Sequence, residues 1–251
     1  MKKIYTFVTM LVAVVLLTAC GGRDQEILVV ATSADFPPFE FIDDAGNYVG
    51  FDMDLIRALA DEMDVEIRID NMDFGGIIMA IYTGEADIAI AAMTIDEERA
   101  QSVLFTNYYF ETTQVVLVQR YSDIVTIGQI PTYANIGVQM GTTSAMIVTD
   151  FGALGGDVNA VMLNQAPLVV MELVLGRVDA VVIDYAVAQL FLAEHDGLRM
   201  LDEVLAIEQY AIAVNMGQPE LVTRLNTALA ALRADGRFQE IYDYWFGGYD
   251  D

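Results

Sequence analysis

The chain has 251 residues and is 55% apolar, enough for one large or two small cores and too apolar for a disordered chain. Acids outnumber bases 37 to 12, a net charge of −25, so the surface repels nucleic acid and anionic membrane, and neither is a partner of the folded part. The charge suits solubility, with a mild attraction for cationic solutes as its other use.

Residues 1–20 read as a targeting segment: "MKK" is the basic start, "IYTFVTMLVAVVLL" the apolar run, and "LTAC" the end. A retained transmembrane helix is the rival, but the apolar run is short for spanning a bilayer. Cys20 is the only cysteine, so no internal disulfide can form. Residues 21–25 follow as a short tether.

"EILVVAT" (26–32) is a strand by its β-branched run, and "FEFIDDAGNYVGF" (39–51) is a hairpin turning at "DDAG". "DMDLIRALADEM" carries Leu55, Ile56, Leu59 and Met63 on one helical stripe. "VEIRI" is a strand, "GGIIMAIYTG" a helix ending at Gly84 in a left-handed cap, and "DIAIAAM" a buried strand. This alternation predicts a parallel α/β sheet. A second series begins near residue 112. Its strands are "TTQVVLVQR", "ANIGVQM", "VNAVML" and "VDAVVID"; its helices are "TTSAMIVTDF", "APLVVMELVLG" and "YAVAQLFLAEH". "EQYAIAVN" (208–215) is a late strand, and two helices broken at Gly236 close the chain. "TGEADIAIA" and "LGRVDAVVI" share a helix end, Gly, an Asp and a buried strand, which predicts two α/β lobes; a single doubly wound sheet is the alternative.

Four strand ends carry chemistry. In "AAMTIDEER" (91–99) the strand stops near Met93, "TIDE" has the form of a capping box, and a helix is predicted from Asp96 with Arg99 in its first turn. A cation there opposes the helix dipole, so it pairs either with a local acid or with an external anion. In "VQMGTTSA" (138–145) a strand runs through glycine into hydroxyl residues and a helix, directing the N–H groups of Thr142, Thr143 and Ser144 at an anion, without the GK[ST] ending of a phosphate loop. Asp184 ends the apolar strand of "VDAVVIDY" and either seeks a cation or caps the helix at Tyr185. "ATSADFPPFEF" (31–41) brings Ser33, Asp35 and Phe36 to the rim. Phe36 and Phe74 are cleft aromatics or ordinary core. His195, the only histidine, falls at a helix end, and no metal-ligand motif or cofactor motif is present.

The order "ATSADFPPFEF", "GFDMDL", "MDFGGII", "AAMTIDEER", "GVQMGTTS", "DAVVID", "YAIAV", "LRADGRFQEIYDYWFG" resembles the extracellular solute-binding proteins for polar amino acids, the receptors of ABC importers, over residues 26–248. The resemblance implies a periplasmic-binding-protein-like type II α/β fold of two lobes joined by two hinge strands, near Tyr109–Thr113 and Ile207–Tyr210. Lobe 1 is then residues 26–110 with 209–251, and lobe 2 is residues 111–208. It implies that Arg99, Thr94 and the Thr143 turn take the ligand α-carboxylate, and that Asp184 and the Ala92 backbone take the α-ammonium. Phe36 and Phe74 then sandwich the side chain. "LTAC" resembles a lipobox cleaved before Cys20, whose thiol carries the lipid that holds a monomeric chain to the outer membrane face. The partners implied are a free amino acid and an importer permease.

Departures bear on specificity. Relatives that grip glutamine or a basic side chain often have Asp where Ser33 stands; here Asp35 and Glu40 are the nearby acids, and Gln139 stands where some members read the side chain. Arg, Lys, Gln and smaller polar amino acids all stay open. The rivals are a dehydratase-like enzyme on the same scaffold, which needs a general acid or base in the cleft, and a ligand-sensing domain.

Overall fold

The structure, a computed structural model, describes residues 26–150 and 158–247. The targeting segment, Cys20, the tether and the predicted helix end at Phe151 lie outside the described residues.

The first lobe begins with β1 (Ile27–Thr32) and a small ribbon of β2 (Asp35–Phe36), β3 (Glu40–Ile42) and β4 (Tyr48–Val49). Then come α1 (Phe51–Met63), β5 (Glu66–Asn71), α2 (Ile77–Thr83), β6 (Ile88–Ala89) and β7 (Val103–Phe105). The second lobe holds β8 (Phe110–Gln119), β9 (Asn135–Gln139), α3 (Thr143–Thr149), β10 (Asn159–Leu163), α4 (Ala166–Val174), β11 (Ala180–Asp184), α5 (Tyr185–Glu194) and β12 (Leu198–Tyr210). The chain returns through β13 (Ala213–Asn215), α6 (Pro219–Asp235) and α7 (Arg237–Phe246).

Two five-stranded sheets result, in the orders β5-β1-β6-β13-β7 and β10-β9-β11-β8-β12. Each has a parallel half, as the strand–helix alternation requires. Neither is wholly parallel, and this corrects the sequence expectation. β13 runs antiparallel between β6 and β7, while β8 runs antiparallel to both β11 and β12. The antiparallel strands are those by which the chain passes between the lobes, so they enter each sheet without a crossover helix.

Three local expectations also change. "DIAIAAM" pairs only at Ile88–Ala89, because the chain turns away at Ala92, whose φ is 45°. No α-helix starts at Asp96; a 3-10 turn at Arg99–Gln101 takes its place. The late strand is two. β12 begins ten residues before Glu208, at Leu198, with irregular register between Met200 and Ala206. It ends at Tyr210, where Ala211 N–H crosses to Met93 O (3.0 Å) before β13 starts. Exposed Asp202 and Glu203 at the irregularity hide the alternation that would reveal the strand.

α1 buries Phe51, Leu55, Ile56 and Leu59, as its stripe requires. Its approach depends on Gly50: φ is 127°, and a Cβ there would fall 2.1 Å from Phe39 O. Beneath the junction of the lobes the rings of Phe39, Phe110, Tyr210 and Phe246 pack together, with centroids 4.9 Å apart for Phe39–Phe110 and for Phe110–Phe246. The strands joining the lobes pair antiparallel across this cluster, Tyr210 opposite Phe110 and Glu208 opposite Thr112.

Candidate functional site

A cavity of about 20 Å3, room for roughly one water, lies where the lobes meet. Ser33, Asp35, Phe36, Glu40, Phe74, Ala92, Thr94 and Arg99 line it from the first lobe; Gln139, Thr143 and Asp184 line it from the second. The ten residues that the sequence assigns to ligand contact therefore reach one place, whereas Ser144 and His195 do not line it. A larger groove of about 360 Å3 runs along Phe110–Thr113, but Glu111 is its only charged wall residue, so it offers an anion no cationic side chain.

Arg99 is buried, 5% exposed, yet among the described residues no acid lies within ion-pair distance of its guanidinium. It donates to Thr94 O (2.7 Å) and, across the cleft, to Gly141 O (3.0 Å), and it lies 5.3 Å over the Phe74 ring. The local acids do other work: Asp96 Oδ1 accepts from the N–H groups of Glu98 (2.8 Å) and Arg99 (3.1 Å), capping the turn in place of Thr94. Burial lowers the guanidinium pKa, opposed by the fields of Asp96, Glu208, Asp184 and Glu98.

Asp184 also resolves its alternatives. It precedes α5, but its carboxylate makes no capping bond; Oδ1 accepts from the Tyr210 hydroxyl instead. Burial, helped by the negative charge of Glu208, raises its pKa to about 7 against the bonds from Tyr210 and Gln114. Ala92 N–H is committed to Asp52 Oδ2 at 2.7 Å, which leaves the Ala92 carbonyl as its free function. Asp52 takes a second donor, the Tyr109 hydroxyl at 2.7 Å, and burial raises its pKa to about 6.

Sequence reasoning missed Glu208. It is 5% exposed, and its Oε2 accepts from Thr94 Oγ1 (2.6 Å), Thr143 Oγ1 (2.9 Å) and Gln114 Nε2 (3.1 Å). One carboxylate on a joining strand thus ties a hydroxyl from each lobe. A ligand carboxylate entering beside Arg99 competes with Glu208 for both protons. The signal was present: Glu208 is two residues from buried Tyr210, so strand alternation turns both to one face.

At the far end Asp35, from β2, meets Gln139, from β9, at 3.2 Å; Gln139 also donates to Asn164 O at 3.0 Å. Ser33 Oγ reaches Asp35 only at 3.4 Å. Burial raises the Asp35 pKa to about 6 against these hydrogen bonds, with Asp73 adding to the rise. Phe36 and Phe74 are each 8% exposed, and each forms part of the cavity wall. Thr142 caps α3 by accepting from Ala145 N–H at 3.2 Å, so the turn before Thr143 is fixed by its own hydroxyl. Among the described residues no three His, Cys, Asp or Glu side chains are grouped to hold a metal ion.

The cavity thus sets a buried cation that has no acid partner among the described residues and a buried carboxylate from the other lobe on one wall. Comparison with known proteins places the chain in a family. The model of "Bacterial extracellular solute-binding proteins, family 3" matches residues 28–248. A "Probable histidine-binding protein" of Neisseria gonorrhoeae is 33% identical over 92% of this chain and 90% of its own. An ancestral arginine-binding protein bound to arginine has a TM-score of 0.82 at 38% identity, over 88% of this chain and 99% of its own, and an ancestral arginine-binding protein bound to glutamine has a TM-score of 0.82 at 39% identity. The ancestral amino-acid-binding protein AncCDT-1, a precursor of cyclohexadienyl dehydratase, has a TM-score of 0.80 at 32% identity, over 88% of this chain and 95% of its own.

Proposed function

Because the chain belongs to the bacterial extracellular solute-binding proteins, family 3, we propose that it captures a free polar L-amino acid outside the cytoplasm and delivers it to an ABC importer by closing its two lobes. Lobe 1 is residues 26–110 with 209–251, lobe 2 is residues 111–208, and the paired ends of β8 and β12 are the hinge. Arg99, Thr94 and Thr143 hold the α-carboxylate. Asp184 and the Ala92 carbonyl hold the α-ammonium. Ser33, Asp35, Phe36, Phe74 and Gln139 surround the side chain. The chain acts as a monomer, and lipid on Cys20 holds it at the membrane face.

One observation carries this reading: a buried arginine with no acid partner among the described residues shares a cavity with a buried aspartate from the other lobe. A zwitterion touches both lobes and so favours the closed state over the open one. Each of its charges meets an opposite charge already desolvated, which selects α-amino acids over plain amines or acids. The excess of acid at the cavity (Asp35, Glu40 and Asp184 against Arg99) favours a basic side chain, arginine foremost.

A thermal-shift screen of the twenty amino acids tests the reading. At a hundredfold excess over Kd a ligand adds about 2.7 kcal/mol, raising Tm by roughly 5–10 °C. Arginine, lysine or histidine should give the largest rise, and a flat screen overturns the proposal. The similarity to AncCDT-1 keeps catalysis as a second reading. That reading would have to use Asp35, Glu40 or Asp184 as general acid, since the cavity wall has no His, Lys or Cys. Turnover of a cyclic carboxylic acid by the purified protein would favour it.

A further inference from the structure

Glu40 is fully buried, yet neither carboxylate oxygen meets a hydrogen-bond donor, and it lines the same cavity as Arg99 and Asp184. An ionised carboxylate without a donor is among the costliest groups a protein can bury. Its register explains its aim. Glu40 on β3 pairs directly with Phe36 on β2, so both side chains share one face of the ribbon, the face toward the cavity.

The ionisable groups that act most on Glu40 are acidic or phenolic: Asp52 from α1, Asp35 from β2, Asp184 from β11, and Tyr109 just ahead of β8; Arg99 is the one cation on the same cavity wall. Asp52 lies within hydrogen-bonding reach. Two acceptors bond only if one supplies a proton. Asp52 Oδ2 already accepts from Ala92 N–H and Tyr109 OH, which favours its ionised form. Its other oxygen, Oδ1, is buried and meets no donor. A proton on Glu40, donated toward Asp52, removes the buried charge of Glu40 and gives Asp52 Oδ1 its donor, leaving a single Glu40 oxygen without a partner. Burial, then the charges of Asp52, Asp35 and Asp184, push Glu40 well above the usual carboxylate range.

We propose that Glu40 is the residue that receives the cationic end of a basic ligand, holding a proton while the site is empty and releasing it when a guanidinium or ammonium side chain enters. This rests on the amino-acid receptor reading. The α-carboxylate neutralises Arg99 and the α-ammonium neutralises Asp184, so the zwitterionic part adds no net charge. A neutral side chain leaves the Glu40 proton in place. A cationic side chain brings one further positive charge, donates N–H to the Glu40 oxygens, and the displaced proton passes to solvent. Glu40 thereby lets the same pocket admit neutral and basic side chains, with affinity for the basic ones alone rising with pH through this group.

Calorimetry on the purified protein at pH 7, with arginine and with glutamine in buffers of different ionisation enthalpy, tests this. Arginine should release roughly one more proton than glutamine. In Glu40→Gln that extra release should vanish, and the preference for arginine over glutamine should fall at least tenfold. Equal release for the two ligands, or an extra release that survives in Glu40→Gln, overturns the proposal while leaving the receptor reading intact. Failure of every amino acid to bind overturns both. Should Glu40→Gln not fold, infrared spectra of the wild-type protein decide. Arginine, and not glutamine, should abolish the carbonyl stretch of a protonated carboxyl, and 13C-labelled glutamate should shift that band. A band that persists with arginine, or that shifts only with labelled aspartate, refutes the assignment.

Discussion

Asp184→Asn should stabilise the unliganded protein while crippling its binding. Asp184 is 6% exposed, and its pKa stands at about 7, raised by burial and by Glu208. An unfolded Asp titrates near 3.9. Below about pH 4 the group is protonated in both states and costs nothing. Between pH 4 and 7 the folded chain keeps a proton that the unfolded chain releases, so stability falls as pH rises, and the full penalty is present above pH 7. A shift of that size corresponds to about 4 kcal/mol, and relaxation and water entry reduce it to about 2–3 kcal/mol. Asparagine removes the charge and keeps an acceptor for the Tyr210 hydroxyl. Chemical denaturation at pH 8 should therefore show a gain of about 2–3 kcal/mol, worth roughly 4–12 °C in Tm. The gain should shrink steadily as pH falls toward 4. Amino-acid affinity should fall at least a hundredfold, because the ligand ammonium loses its counter-charge in a desolvated site. If Asp184→Asn destabilises at pH 8, or gains equally at pH 4.5 and pH 8, the electrostatic reasoning is wrong.

Two further substitutions probe the closed state. Arg99→Ala should lower amino-acid affinity at least a hundredfold, since an unpaired buried carboxylate costs about 3–5 kcal/mol, and circular dichroism should stay native. Titration calorimetry returning the wild-type Kd would count against the assignment of Arg99. Gly141→Ala should act on closure rather than on the pocket. Gly141 has φ 81°, and a Cβ there would fall 2.7 Å from Gly75 Cα in the opposite lobe. The strained φ costs about 1–2 kcal/mol, and the contact can relax only by parting the lobes. Binding should weaken at least tenfold, and the ligand-saturated protein should scatter X-rays with a larger radius of gyration than wild type. A wild-type radius and affinity would show that the lobes do not need this approach.

Much of the fold was legible because burial is periodic. α1 shows its core face at Leu55, Ile56 and Leu59, and the strands β1, β8 and β11 are β-branched runs that need no tertiary context. The segments that failed are those whose partner is remote. β12 looks irregular along the chain because β8 fixes its register across bulges, and β6 stops short because Ala92 bends toward the cleft. At the site, Arg99 and Asp184 stood out because charges at the ends of apolar strands demand an explanation. Glu208 did not, because an acid in a strand is ordinary until its neighbours are known, and Glu40 was legible as a nearby acid but not as one buried against Asp52.

The sequence by itself determined the alternation of strands and helices and which residue types each strand end presents, since these depend on local periodicity, punctuation and charge, while two lobes and a single doubly wound sheet both fitted that alternation. Tertiary structure decided which groups share a proton or a hydroxyl. Glu208 reaches Thr94 and Thr143, and Glu40 faces Asp52, only because chain segments far apart in sequence are packed together. Hydrogen bonds and desolvation act over a few ångströms of space, and along the chain those distances are not written.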